Sequence, residues 1–259
     1  MMPGWRDPRW GSVVILATFT VLGQTVLGFH VSAAEVLTSL GTCAALDLVL
    51  TRRRSGRWVL PLSATVTGLS LGVLLRSPDL PVFVVAAVAA IGSKHLIRSA
   101  DGRHVANPSA FGLIVALLCS EGFSEVTPPG EWGTSALVAL LVVGFGAVVL
   151  TRTRRLAMCA TFLAAHVVFT LAVAGGTPGF DQLLGPTVLV YAFFMITDPR
   201  TAPRALGPSL VYAVALAGLA AAIDAGGSMV GLYLALVAVC ATVPALERRA
   251  ARRVVATVA

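Results

Sequence analysis

Apolar runs separated by short polar segments dominate the chain. Ten such runs lie at about 12–29, 33–50, 59–75, 80–97, 107–120, 134–150, 156–175, 183–197, 205–223 and 228–246. A membrane-crossing helix needs about 20 apolar residues, a length that most of these runs approach. The runs lack the period-two alternation of a membrane β-barrel, so each is predicted to form a helix that satisfies its own backbone hydrogen bonds. The pattern predicts an all-α integral membrane protein of about ten transmembrane helices.

The charged residues support the same number of helices and set an orientation. With a cytoplasmic N-terminus, 18 of the 19 Lys and Arg residues fall in cytoplasmic segments, and Arg76 is the exception. The opposite segments carry acidic residues, namely Asp79, Glu121, Glu125, Glu131, Asp181 and Asp224. This positive-inside pattern predicts that both termini lie in the cytoplasm. It also accounts for the net charge of +7, so no nucleic-acid partner is expected.

Composition leaves little room for a soluble domain. Charged residues make up 12% of the chain, against about 25% in soluble domains, so the apolar surplus requires a lipid environment. Residues 1–259 are therefore predicted to form one polytopic membrane domain. The four cysteines form no CxxC pair, which argues against a metal site or a disulfide framework. Dinucleotide, Walker and hydrolase motifs are also missing, so no catalytic residue is assigned.

Two predicted cytoplasmic segments carry a polar residue followed by proline, Asn107-Pro108 and Asp198-Pro199. Asn and Asp favour the N-cap and proline suits the first helical position, so each motif is predicted to open a helix. Free N–H groups at such helix starts attract anionic or acceptor groups of a ligand. Corresponding motifs in two halves, here about 12–123 and 134–246, also indicate a site at a repeat interface. The alternative is that both are ordinary capped helix starts.

Both segments resemble the NqrB/RnfD family, the membrane subunits of sodium-pumping NADH:quinone reductase and of the Rnf electron-transport complex. The resembling stretches run from Ser93 to Arg98, from Asn107 to Gly112 and from Phe193 to Pro199, and Thr67-Gly68 also fits. The resemblance implies two inverted five-helix repeats in the plasma membrane of a bacterium. It also implies a protein that is at most one redox subunit of a larger complex.

The resemblance further implies a flavin site at Asn107 and Asp198. An amide and a carboxylate can read the imide and carbonyl edges of an isoalloxazine ring by hydrogen bonds. The protein would position the riboflavin or FMN, and the flavin would carry out the redox chemistry. The remaining candidate cofactor-binding residues are Ser109, Thr197, Lys94 and Arg103. Lys94 and Arg103 are equally well explained as orientation signals, or as ligands for a phosphate or an anionic lipid.

One departure from the family bears on the cofactor. Family members usually carry a second flavin, FMN esterified to the Thr of a Ser-Gly-Ala-Thr motif. Here the corresponding residues read Ser124-Glu125-Val126-Thr127. The small residues that allow close approach are replaced, and a carboxylate beside a phosphate is repulsive. Covalent FMN at Thr127 is therefore not expected, and a bound flavin would be non-covalent.

Three functions are compatible with these features. The first is transmembrane electron transfer with redox partners in the lipid bilayer. Related UnbU-type proteins accompany enediyne natural-product biosynthesis, and an arginine-rich, lysine-poor composition suits the high-GC genomes that encode them. The second is a small-solute transporter or channel without a redox cofactor, since paired motifs also suit alternating access. The third is an accessory membrane protein that scaffolds or exports a natural-product intermediate alongside biosynthetic membrane partners.

Overall fold

The computed structural model describes residues 8–25, 32–99, 102–122, 136–226 and 230–258. Its α-helices are α1 Pro8–Thr25, α2 Ala33–Ser55, α3 Leu62–Leu74, α4 Leu80–Leu96, α5 Pro108–Leu118, α6 Ala136–Thr153, α7 Leu156–Val173, α8 Phe180–Leu184, α9 Pro186–Val190, α10 Leu206–Ile223 and α11 Val230–Val258. Every predicted apolar run contains helix, and the described residues include no strand, only isolated bridge residues. The all-α prediction is confirmed.

Several helices are suited to a lipid environment. Among the described residues, four stretches are long and apolar enough to cross a membrane: α2, α7, α10 and Val230–Glu247 of α11. Shorter apolar helices account for the remaining runs. Large apolar side chains such as Leu37, Val168 and Val211 are more than half exposed, as expected for surfaces that contact lipid. The membrane class is confirmed, and the number of crossings stays a prediction.

The chain divides into two compact units. The first unit contains Met1–Leu96 and Pro108–Ser135, and the second contains Ile97–Asn107 and Ala136–Ala259. In the first unit, α2 packs closely on α3 because glycines replace side chains at their contact. A Cβ atom at Gly68 would lie 2.6 Å from the Leu40 Cα, and one at Gly72 would lie 2.9 Å from the Val36 Cα. Two small residues four positions apart on one helix allow this close approach of helix backbones.

In the second unit, α10 lies against α7 and α11 around an aromatic core. Phe162, Tyr191 and Tyr233 are fully buried, with ring centroids 5.2 Å apart for Phe162–Tyr191 and 6.1 Å apart for Tyr191–Tyr233. The apolar run at 183–197 is not one continuous α-helix. It consists of α8, α9 and a π-helical turn, Tyr191–Met195, which leads directly to Thr197-Asp198.

One predicted helix start is wrong. Helix α5 begins at Pro108 as predicted, but α10 begins at Leu206 and not at Asp198-Pro199. The Asp198 carboxylate instead stabilises a turn, since its Oδ1 accepts from the Arg200 N–H at 3.0 Å and its Oδ2 accepts from the Thr201 hydroxyl at 3.4 Å. The side-chain chemistry that favours Asp at an N-cap also favours this kind of turn.

Candidate functional site

The segment between Asp198 and the start of α10 is called the Asp198 turn. Asn107 and the first residue of this turn share one hydrogen-bond acceptor in the second unit. The Asn107 Nδ2 donates to the Met195 carbonyl oxygen at 3.5 Å, and the Asp198 backbone N–H donates to the same oxygen at 3.4 Å. Both distances are long for N–H···O hydrogen bonds. Met195 ends the π-helical turn, a local irregularity that is frequent at functional sites. The structure thus places the two sequence motifs side by side.

A buried thiol also connects the two motifs. The Cys240 Sγ lies 3.2 Å from the Tyr212 hydroxyl, and it forms further hydrogen bonds with the Asn107 main chain and the Thr201 side chain. Thr201 in turn donates to Asp198. Sequence reasoning missed Cys240, Tyr212 and Thr201. Cys240 and Tyr212 lie inside apolar runs and belong to no motif. Thr201 could have been selected because it lies three positions after Asp198 in the sequence.

Arg103 holds the turn that follows Asp198 from one side. Its Nε donates to the Arg200 carbonyl at 3.2 Å, and its Nη2 donates to the carbonyls of Pro199 at 3.4 Å and Ala202 at 3.1 Å. Guanidinium groups suit this task because their planar fork presents several donors in fixed directions. The Arg103 side chain, predicted as a cofactor-binding group, therefore contacts the turn itself.

Glu247 of α11 holds the same turn from another direction. Its carboxylate forms an ion pair with the Arg103 guanidinium and accepts from the Arg204 backbone N–H at 3.2 Å. The sequence analysis did not select Glu247. The sequence feature that could have identified Glu247 is its position as a single acidic residue directly before the basic segment Arg248-Arg249.

The Asp198 carboxyl lies in a mixed electrostatic environment. Burial raises the pKa of Asp198, while the hydrogen bond from the Arg200 N–H and the charges of Arg200 and Arg155 oppose that rise. Thr197, also predicted as a site residue, is buried, and its hydroxyl donates to the Phe193 carbonyl at 2.7 Å. The hydroxyl of Thr197 therefore stabilises the π-helical turn that precedes Asp198.

Two predicted site residues, Lys94 and Ser109, lie in the first unit. The Lys94 ammonium is 2.8 Å from the Asp47 Oδ1, which also lies 2.7 Å from the His95 Nε2. All three side chains are buried, and pairing offsets the cost of removing the Lys94 and Asp47 charges from water. Ser109 is buried near the start of α5. A cofactor-binding role for either residue stays a prediction, and the Thr127 loop lies outside the described residues.

The apolar helices define a helical membrane protein, and the two adjacent polar-proline motifs form a candidate site in its second unit. A sequence model of the NQR2, RnfD, RnfE family matches residues 121–256, slightly more than half of the chain. The chain belongs to this family and is an RnfD/NqrB-like membrane subunit. The matched region includes Asp198, Cys240 and Glu247. No curated protein matches the chain.

Proposed function

We propose that the protein is a flavin-binding subunit for electron transfer across a membrane. The cofactor would be riboflavin or FMN, bound non-covalently by Asn107 and the Asp198 turn. The observation that carries the proposal is the shared Met195 carbonyl, which brings the Asn107 amide and the Asp198 backbone together within one unit. Family membership supports the same assignment.

The side chains present suit one edge of an isoalloxazine ring. That edge offers carbonyl acceptors and an imide N–H donor, and the Asn107 amide supplies both complementary groups. Because the Asn107 hydrogen bond to Met195 is long, exchanging it for a bond to a ligand would cost little. A carboxyl group can both donate and accept when it is protonated, and burial raises the pKa of Asp198 in that direction.

The surrounding residues have supporting tasks in this proposal. A flavin supplies electron-transfer chemistry when bound, and the protein supplies binding, orientation and electrostatics. Arg155 and Arg200 place positive charge beside Asp198. Arg103 and Glu247 hold the turn in position. Buried Tyr212 and Cys240 fill the space next to Asn107 and exclude water.

The proposal includes a membrane setting. Ten crossings in two inverted halves, with both termini in the cytoplasm, would place the Asp198 turn at the cytoplasmic face of a bacterial plasma membrane. Partners would be redox proteins or biosynthetic enzymes in the same bilayer. An enediyne or other natural-product pathway is the proposed context, supported by an arginine-rich composition with Lys94 as the only lysine.

The direct test is purification in detergent, acid extraction and chemical identification of any flavin. We expect one equivalent in the wild type, and loss of most of it in Asn107→Leu and in Asp198→Leu, while the helical circular dichroism signal is unchanged. Asp79→Leu serves as the matched control, since it makes the same replacement between α3 and α4 in the first unit. Fluorescence in a denaturing gel reports covalent attachment.

Two results would contradict the proposal. Wild-type flavin content in both site variants would show that Asn107 and Asp198 do not bind the cofactor. A wild type that folds without flavin and conducts a small solute in proteoliposomes would instead identify a transporter.

A further inference from the structure

The segment 52–60, called the basic turn, connects α2 to α3 in the first unit and carries a high positive charge. Arginines occupy four of its first six positions, and all four are exposed: Arg52, Arg53, Arg54 and Arg57. No acidic residue lies between Asp47 and Asp79 in the sequence. None of the four arginines forms an ion pair with any described residue. The described part of the chain therefore supplies no anionic partner for this charge.

Hydrogen bonds at both ends of α2's last turn fix the backbone that presents the arginines. Gly56 ends α2 in the left-handed conformation, with φ 69°, and its N–H donates to the Arg52 carbonyl at 2.9 Å. The Arg54 guanidinium donates to the His95 carbonyl at the end of α4, at 3.3 Å. The basic turn is thus a folded surface connected to a neighbouring helix of the same unit.

Two large apolar side chains lie exposed beside the arginines. Trp58 is 58% exposed and Leu60 is 41% exposed. The Arg52 guanidinium lies over the Trp58 ring, 5.5 Å from the ring centroid, at cation–π distance. Tryptophan is enriched at membrane–water interfaces because its ring is apolar while its N–H can donate. Apolar side chains among positive charges suit the boundary between lipid phosphates and acyl chains.

The length of α2 places the basic turn at this boundary. Helix α2 has 23 residues, which span roughly 34 Å at about 1.5 Å per residue. The hydrocarbon core of a bilayer is about 30 Å thick, so a membrane-crossing α2 extends its last turn into the headgroup region. That last turn contains Arg52, Arg53 and Arg54. The arginines and Trp58 would therefore lie at the depth of the lipid phosphates.

We propose that the basic turn binds the headgroup of an anionic phospholipid such as phosphatidylglycerol. Guanidinium groups donate paired N–H bonds to phosphate oxygens, while Trp58 and Leu60 contact the start of the acyl chains. A zwitterionic lipid adds a cationic group, which the arginines repel. The exposed apolar side chains favour a lipid over an acidic segment of a partner protein. This site lies in the first unit and does not depend on the proposed flavin site.

The test titrates dioctanoyl phosphatidylglycerol against the full chain in a neutral detergent and follows binding by microscale thermophoresis. We expect saturable binding, about tenfold tighter than that of dioctanoyl phosphatidylcholine. Arg53→Gln should weaken binding about fivefold, the contribution of one arginine beside anionic lipid, whereas Arg53→Lys keeps the charge and should stay within about twofold. Trp58→Ala should weaken binding about threefold through loss of apolar contact with the lipid.

Arg154→Gln is the matched control, because it removes an exposed arginine between α6 and α7 in the second unit and should leave the affinity unchanged. Equal affinity for the two lipids would overturn the proposal, as would unchanged affinity in Arg53→Gln or in Trp58→Ala. Inorganic phosphate that binds as tightly as the anionic lipid would identify a free-anion site instead. Competition by a glutamate-rich peptide at equal concentration would identify an acidic protein partner, and either result would also overturn the proposal.

Discussion

Gly146 of α6 shows how one residue positions the candidate site. Its missing side chain makes room for Phe193, a member of the π-helical turn that leads to Asp198. A Cβ atom at Gly146 would lie 2.2 Å from the Phe193 Cδ1 and 2.7 Å from its Cβ. Rotation of the Phe193 ring alone cannot relieve both contacts, so the backbone of the turn would have to move.

Gly146→Ala is therefore expected to lower the stability of the protein by about 1–3 kcal/mol, the usual cost of overpacking a buried contact. Gly144→Ala is the matched control, because nothing lies within 4 Å of a Cβ atom at Gly144. That control should gain up to about 1 kcal/mol from improved helix propensity. Thermal unfolding of both variants in one detergent measures the difference. Equal melting temperatures would mean that Phe193 does not constrain position 146.

At the scale of elements, the turn after Asp198 depends on neighbours that are remote in sequence. Residue type alone predicted a helix start there, because Asp before proline suits both an N-cap and a turn. The backbone carbonyls of the turn are instead satisfied by Arg103, and its Arg204 N–H is satisfied by Glu247. These long-range contacts favour the turn and delay the start of α10 until Leu206.

Arg103→Ala should therefore loosen the turn and expose it to trypsin, which cleaves after Arg200 and Arg204. We expect cleavage there to accelerate about tenfold, because local opening becomes easier when several charge-assisted hydrogen bonds are lost. Glu247→Gln should have a smaller effect, since its amide oxygen still accepts hydrogen bonds. Arg57→Ala, at an exposed position after α2, is the control. Identical cleavage rates in all these proteins would refute the role of Arg103.

At the scale of the whole molecule, charge and hydropathy make one combined prediction. The short apolar helices and the positive-inside pattern together predict ten crossings with both ends in the cytoplasm. The chain's family membership agrees with a helical membrane subunit. Orientation matters for the function, because it decides which membrane face the Asp198 turn would meet.

Reporter insertions test this orientation. Alkaline phosphatase is active only outside the cytoplasm, so it should be active when inserted after Gly130 and inactive after Gly56 or at the C-terminus. A fluorescent protein that folds only in the cytoplasm should give the reverse pattern. Phosphatase activity at Gly56 would contradict the predicted orientation. An active fusion at the C-terminus together with an inactive insertion at Gly56 would indicate an odd number of crossings.

The sequence by itself determined the class of protein and, apart from the helix start at Asp198 and the interrupted run at 183–197, where its helices lie. Both follow from local composition, since roughly 20 consecutive apolar residues favour lipid and a helix satisfies its backbone within the segment. The tertiary structure alone decided which polar side chains meet. The Asn107 bond to Met195 spans 88 positions, the Lys94 bond to Asp47 spans 47, and the Arg103 bond to Glu247 spans 144. Such contacts depend on how helices pack, and no local pattern of residues encodes that packing.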